Sequence, residues 1–283
     1  MGKLDIVSPP IGNLGDITYR AVEVLGRVSR VLAEDTRRTS ILFRRYGIRT
    51  PLVSAHAHNE AARAQLLLTW LDAGEEVALV SDAGTPLLSD PGHRLVRAAL
   101  DGGHAVEPVP GASALLAALV ASGIDPARFT FAGFPPRSGR TRARDLERAA
   151  AAPGAMVFYE APRRLVRLLE DLRTAAGADR QVVIAREVTK LHEDFFRGTL
   201  EAAIRYYADR AVRGEVVVIL APSDTPPAVS GAADAAAVAR ALVEEGRSPT
   251  AVARELTRRL GIPRGEAYPI ARSAAAEREG DVS

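Results

Sequence analysis

Apolar positions along the chain change period repeatedly, and each change marks an element. Short runs rich in apolar and β-branched residues at Lys3–Val7, 28–33, Leu52–Ser54, Glu76–Val80 and 105–108 have the length of buried strands. Between and after them, 18–28, Thr36–Tyr46, 59–73, 94–100 and 112–121 carry helical spacing, with Gly47, Gly74 and Gly123 as stops. Regular alternation of this kind predicts a mostly parallel sheet with helices on its faces.

Beyond Gly123 the order loosens. Strands are predicted at 128–132, 155–159, Gln181–Arg186 and 215–221, with 193–197 as an antiparallel neighbour, and helices at 163–175 and after the basic tract 135–144. A Pro- and Ala-rich stretch then precedes three helical segments, 235–245, Pro249–Leu260 and 264–275, punctuated by Gly246 and Gly261. The predicted fold class is α/β. An N-terminal α/β domain (1–122) is followed by a smaller mixed α/β domain (123–222), a linker (223–233) and a helical C-terminal segment (234–283). The spacing of that segment fits a helix-turn-helix and a plain helical cap equally.

The longest polar interruption of the first half is Ser81-Asp82-Ala83-Gly84-Thr85-Pro86-Leu87-Leu88-Ser89-Asp90-Pro91-Gly92. It lies between a strand and a helix, where open α/β sheets bind ligands, and it exceeds the usual βα turn. Its glycines and prolines fix the backbone path while Ser81, Asp82, Thr85, Ser89 and Asp90 supply polar groups. The first part, Asp82 to Pro86, is predicted to face a ligand, and Leu87 to Gly92 to redirect the chain into the next helix.

Five more loops follow strands. Residues 8–16 carry Gly12 and Gly15 but neither a dinucleotide fingerprint nor a phosphate-binding lysine, which argues against a pyrophosphate ligand. In Glu34-Asp35-Thr36-Arg37-Arg38, Asp35 or Thr36 caps the next helix, or the carboxylates face a cleft beside arginines. Pro110-Gly111-Ala112-Ser113-Ala114 opens an Ala-rich helix on which a flat group can lie, or Ser113 simply satisfies its free amides. In the second half, Phe158-Tyr159-Glu160-Ala161-Pro162-Arg163-Arg164 and Arg186-Glu187-Val188-Thr189-Lys190-Leu191-His192-Glu193 mix acids and bases, a pattern that surface ion pairs also produce.

Composition narrows the chemistry. The chain has 283 residues and no cysteine, which excludes disulfides and thiolate metal sites, and no run approaches the length of a membrane span. Without a charged-then-apolar leader, a cytoplasmic location is expected. His56, His58 and Glu60 do not make a convincing ligand set, so no metal is expected. Of 37 basic residues only Lys3 and Lys190 are lysine. The arginines suit phosphate recognition as well as a coding bias, and Lys190 at a domain boundary is a candidate base if burial lowers its pKa.

Six motifs in order then carry a resemblance: Pro10-Ile11-Gly12-Asn13-Leu14-Gly15-Asp16-Ile17-Thr18, Ala33-Glu34-Asp35-Thr36-Arg37, the Ser81 to Gly92 loop, Pro110 to Ala114, Phe158 to Pro162, and Thr189 to Glu193. Together they resemble the 16S rRNA cytidine 2′-O-methyltransferases, the ribosomal RNA small subunit methyltransferase I family of the tetrapyrrole methylase superfamily. The likeness spans 4–221, and the tail from Asp234 is similar to that family's C-terminal helix-turn-helix. The resemblance implies two α/β domains with S-adenosylmethionine in the cleft between them, and methyl transfer to a ribose hydroxyl of 16S rRNA within the small ribosomal subunit. It implies cofactor contacts at Ile11, Gly12, Asp82, Gly84, Thr85, Pro86, Ser113, Tyr159 and Ala161, and a homodimer. Proton removal falls to Lys190 as base or orienting group, with Glu160 and Glu34 as alternatives, and RNA contact to Arg37, Arg38, Arg137, Arg140, Arg142, Arg163 and the C-terminal helices. Two rivals remain on the sequence alone: a methylase of a tetrapyrrole or other small molecule, and a non-catalytic nucleic-acid-binding protein.

Overall fold

The first five apolar runs become one parallel sheet. In the computed structural model, which describes residues 2–223, 232–260 and 262–280, the N-terminal half runs β1 (Lys3–Val7), α1 (Tyr19–Arg27), β2 (Arg30–Ala33), α2 (Thr36–Tyr46), β3 (Leu52–Ser54), α3 (Glu60–Asp72), β4 (Glu76–Val80), α4 (His93–Asp101), β5 (Ala105–Val109) and α5 (Ala114–Val120). Its sheet order is β3-β2-β4-β1-β5, with every pair parallel. Helices cover both faces. Val24, Leu25, Leu42 and Phe43 pack with Val31 and Val80 on one side, and Leu67, Leu71, Leu95 and Ala99 with Leu4, Leu32 and Leu79 on the other. Local signals set the helix ends: the Thr18 hydroxyl accepts from the Ala21 amide at 3.1 Å, and Gly47 closes α2 in the left-handed region at φ +68°. The chain enters at β1, goes out to β3, and returns through β4 beside β1, so the loops after β1 and β4 flank the reversal where ligands bind.

The second half forms a mixed sheet. Its elements are β6 (Phe129–Gly133), α6 (Gly139–Ala150), β7 (Ala155–Glu160), α7 (Leu165–Ala176), β8 (Gln181–Arg186), β9 (Asp194–Thr199), α8 (Leu200–Tyr207) and β10 (Val216–Leu220). The order is β6-β7-β10-β8-β9, parallel between β6 and β7 and antiparallel elsewhere. The central strands are near-continuous apolar runs, β10 throughout and β7 and β8 except at their ends, because both their faces are covered. Met156, Phe158, Val182, Ile184, Val216 and Val218 pack under α7 with Leu165, Leu168, Leu169 and Leu172. Each of these leucines is fully buried, a contribution of about 1.5–3 kcal/mol apiece.

The opposite face holds Val157, Val183, Ala185, Val217 and Ile219, and what covers it is α5 of the first half, through Leu115, Ala118 and Leu119 together with Ile11. The break between residues 122 and 123 therefore separates two sheets that share a core. The chain divides instead at Pro222 and Ser223 into two compact units. Of the predicted linker 223–233, residues 224–231 lie outside those described. The second unit contains α9 (Ala232–Glu244), α10 (Pro249–Leu260) and α11 (Arg264–Gly280), packed on one another through Leu242, Val243, Val252, Leu256, Ile262 and Ala271.

Candidate active site

A cleft of about 420 Å³ opens where strand ends of both sheets meet. From the first sheet come Ile11 after β1, Glu34 and Arg38 after β2, the loop after β4, and Ser113 and Ala114 at the start of α5; from the second come Phe134, Tyr159, Glu160, Ala161, Val188 and Gly214 to Val217. Of the residues expected to hold a cofactor, Ile11, Asp82, Gly84, Thr85, Ser113, Tyr159 and Ala161 line this cleft, whereas Gly12 and Pro86 do not.

The loops are braced against each other. The Asp82 carboxylate accepts from the Asp35 amide at 3.0 Å and faces the Arg38 guanidinium at 3.4 Å, while the Asp82 amide donates to Glu34 at 3.4 Å. Gly84 takes φ +74°, and a Cβ there would lie 3.1 Å from Ile11 Cγ2, so only glycine lets the two loops approach. Asp35 also caps α2, accepting from the Arg37 amide at 2.9 Å. Hydrogen bonds from Arg37 hold its carboxyl down at about 2. Ser113 caps α5 in addition to lining the cleft, and from the second sheet the Tyr159 hydroxyl accepts the Leu115 amide at 3.2 Å. The capping reading of Ser113 is met, and the same side chain faces the cleft.

The end of the β4 loop departs from its expected role. Leu88, Ser89 and Asp90 line the cleft. Leu87 and Ser89 both sit at φ +72°, a conformation that non-glycine residues adopt only when surroundings enforce it. The enforcement is visible: Glu60 accepts from the amides of Gly92 at 3.0 Å and Arg94 at 2.8 Å. Burial, reinforced by Glu34, pushes the Asp90 carboxyl up to about 6, against the opposing influence of the Ser81 hydroxyl. Burial and the nearby Asp82 likewise raise Glu34, and burial raises the Tyr159 phenol.

The three groups expected to move a proton are placed differently. Lys190 does not line the cleft. Its ammonium is 2.8 Å from Glu187 and 3.2 Å from Glu215. Burial alone would lower its pKa, but these carboxylates outweigh it and the net direction is up. The expected desolvated lysine base is therefore corrected to a paired ammonium standing behind Glu215. Glu160 lines the cleft with a side chain that is 0% exposed and ion-paired to Arg164; one carboxylate oxygen also accepts the Ala161 amide at 2.8 Å, and the other has no protein partner. Glu34 lines the cleft and braces Asp82.

The arginines sort by exposure. Arg37, Arg137, Arg140 and Arg163 are exposed and Arg38 reaches the cleft wall. Arg142 is corrected: it is 4% exposed, because α6 begins at Gly139 and its helical phase turns that side chain inward. There its Nε meets Asp171 at 2.6 Å and it donates to the Pro136 carbonyl at 2.9 Å. Among the described residues no group of three or more acidic or histidine side chains is placed to hold a metal, and no helix is long and apolar enough to cross a membrane. His56 and His58 meet edge to face at 5.9 Å.

Sequence reasoning named Asp90 among the polar groups of its loop but not among the cleft residues, and it missed Phe134, Gly214, Glu215, Val216 and Val217. The signal available was the pair Gly214-Glu215 directly ahead of a fully apolar strand, on the scale of the other strand-flanking loops.

A family model described as Tetrapyrrole (Corrin/Porphyrin) Methylases matches residues 3–204. A ribosomal RNA small subunit methyltransferase I of Synechocystis sp. is 43% identical over 273 residues, which cover 95% of this chain and 97% of the relative. One from Micromonospora olivasterospora is 44% identical over 283 residues, 99% of this chain and 90% of the relative. Among solved structures, the uroporphyrin-III C-methyltransferase of Thermus thermophilus complexed with S-adenyl homocysteine is 21% identical with a TM-score of 0.56, covering 78% of this chain and 97% of that one. A diphthine synthase is 16% identical with a TM-score of 0.60, covering 78% and 90%. At these identities the solved structures speak for the fold alone.

Proposed function

The chain belongs to the tetrapyrrole (corrin/porphyrin) methylase family and, within it, to the ribosomal RNA small subunit methyltransferase I family, and on that premise we propose that it transfers the methyl of S-adenosylmethionine to the ribose 2′-oxygen of a cytidine in 16S rRNA.

The observation that carries this reading is the charge of the cleft. Glu34, Asp82, Asp90, Glu160 and Glu215 line it against the single guanidinium of Arg38. Such a lining suits a cationic sulfonium and ammonium and repels a pyrophosphate. Small residues, Ala83, Gly84, Ala114 and Ala161, leave room for a flat base, and Phe134, Val188, Val216 and Val217 give apolar walls. These features fit the cofactor. Asp82, Gly84, Thr85, Ser113, Tyr159 and Ala161 would hold it, with Ile11 fixing the approach of Gly84.

When bound, S-adenosylmethionine supplies an electrophilic methyl on a good leaving group. The protein's part is to orient the acceptor oxygen, exclude water and remove a proton. Arg37, Arg137, Arg140 and Arg163 supply exposed cations for RNA phosphates, aided by exposed Arg254, Arg258 and Arg272 in the C-terminal unit. The substrate is the small subunit, the location the cytoplasm.

The chain works as a homodimer in this reading. Support comes from Leu191, 92% exposed, and from exposed Tyr19, Leu116 and Val120. Tyr19 and Leu116 adjoin in sequence Thr18 and Ala117 of a second, open groove that Thr189 also lines. Light scattering should give twice the chain mass.

The deciding experiment incubates the protein and labelled S-adenosylmethionine with small subunits from cells lacking the modification, and maps the product by mass spectrometry. One added methyl on the ribose of a single 16S cytidine is expected. Transfer to a porphyrinoid but not to RNA would overturn the reading.

A further inference from the structure

Five carboxylates line the cleft, and four of them are already engaged. Asp82 is held by the Asp35 amide and Arg38. Glu34 accepts the Asp82 amide. Glu160 is fully buried, with one oxygen bound to Arg164 and the Ala161 amide and the other without a protein partner. Glu215 pairs with Lys190. A carboxylate locked to a cation or an amide is a weak proton acceptor, since protonation must first break that interaction.

Asp90 is different. Among the described residues it has no ion-pair partner, and the nearby Ser81 hydroxyl that favours its charged form is neutral and turned to the Ala83 and Gly84 carbonyls. It is partly exposed to the cleft, and the loop that carries it is held in a costly shape. Leu87 and Ser89, both just ahead of it, have positive φ, and after it Glu60 clamps the amides of Gly92 and Arg94. On the far side, a Cβ at Gly133 of β6 would lie 3.3 Å from the Ser89 hydroxyl, so the second sheet comes close to the loop just where Asp90 is presented. A βα connection without a task would relax that backbone.

Resting on the methyltransferase reading above, we infer that Asp90 is the catalytic base, taking the proton of the ribose 2′-hydroxyl during methyl transfer. The balance is simple. As the oxygen–carbon bond forms, the carbon–sulfur bond breaks and its electron pair stays on sulfur; the hydroxyl proton passes to the Asp90 carboxylate and later to water. The groups facing Asp90 tune it for this: Glu34 at the end of β2, Asp82 at the start of its own loop, Tyr159 on β7 and Glu215 ahead of β10. Burial and these acids lift the carboxyl to about 6, near the working pH, where an acceptor is both ionised and basic.

The test compares the full-length wild type with Asp90→Asn in three measurements: single-turnover methylation of small subunits across pH 5–9 (roughly the range in which carboxylate and imidazole groups titrate), calorimetric binding of S-adenosylhomocysteine, and thermal melting to confirm folding. We expect Asp90→Asn to bind the product with wild-type affinity yet to lose about 100-fold or more in rate. The wild-type rate should fall on the acid side with a single ionisation that the variant lacks. A variant rate within about threefold of wild type, a loss of binding as large as the loss of rate, or an unchanged acid limb would each overturn the inference. Wild-type protein that methylates no RNA would instead overturn the proposed function, and the base assignment with it.

Discussion

Gly12 and Lys190, 178 positions apart in the sequence numbering, are in van der Waals contact: a Cβ built on Gly12 would lie 2.4 Å from Lys190 Cγ. The lysine stem crosses the β1 loop there on its way to Glu187 and Glu215. Gly12→Ala should therefore cost about 1–3 kcal/mol by overpacking. Denaturant titration of the single variants and of Gly12→Ala with Lys190→Ala should show a sub-additive pair, because removing the stem relieves the clash.

Lys190 is predicted to act as a cation, not as a base. Its raised pKa makes it a stabilising group below its ordinary value, with that stability lost only as pH rises through the higher folded value. Lys190→Met should lower the melting temperature at pH 8, and the acid limb of the rate profile should survive.

Asp90 should trade stability for function. Its folded value of about 6 lies above the ordinary 3.8, so the folded state holds a proton there that the unfolded chain has lost. Stability attributable to this group falls as pH rises from about 4 to 6 and is level above that. Asp90→Asn should melt higher than wild type at pH 8, and the difference should vanish toward pH 4.

Asp82→Ala removes a cleft wall and the brace to Asp35 and Arg38 together. Calorimetry with S-adenosylhomocysteine should show a loss of about tenfold or more. Pro86 is buried in the loop but does not line the cleft, so Pro86→Ala should leave affinity within about twofold and act on folding stability instead.

The arginines of the α6 region should separate into two classes. Arg142→Ala should destabilise by about 1–3 kcal/mol, since Asp171 loses its partner and the helix its anchor to Pro136. Arg137→Ala and Arg140→Ala should leave the melt unchanged, weaken subunit binding, and each reduce the salt slope by about one.

What the chain determined by itself was everything set within a few residues. Strand period and helix period placed β1 to β5 and the central strands of the second sheet within a residue or two. Asp35 and Ser113 announced their helices as caps, because a cap is a contact across one turn. The β4 loop stood out for the same reason, through glycine, proline and short polar residues in immediate succession. Tertiary structure decided what depends on partners far away in sequence. It placed α5 under the second sheet, so that residues 122 and 123 divide no core. It turned Arg142 inward, and it spent Lys190 on two carboxylates. It also brought Glu34, Asp82, Asp90 and Glu215 into one cleft. The pKa of a side chain and its availability follow from burial and from the charges around it, and neither is written in the neighbouring residues; that is why the sequence pointed to the loop but not to Asp90 at its end.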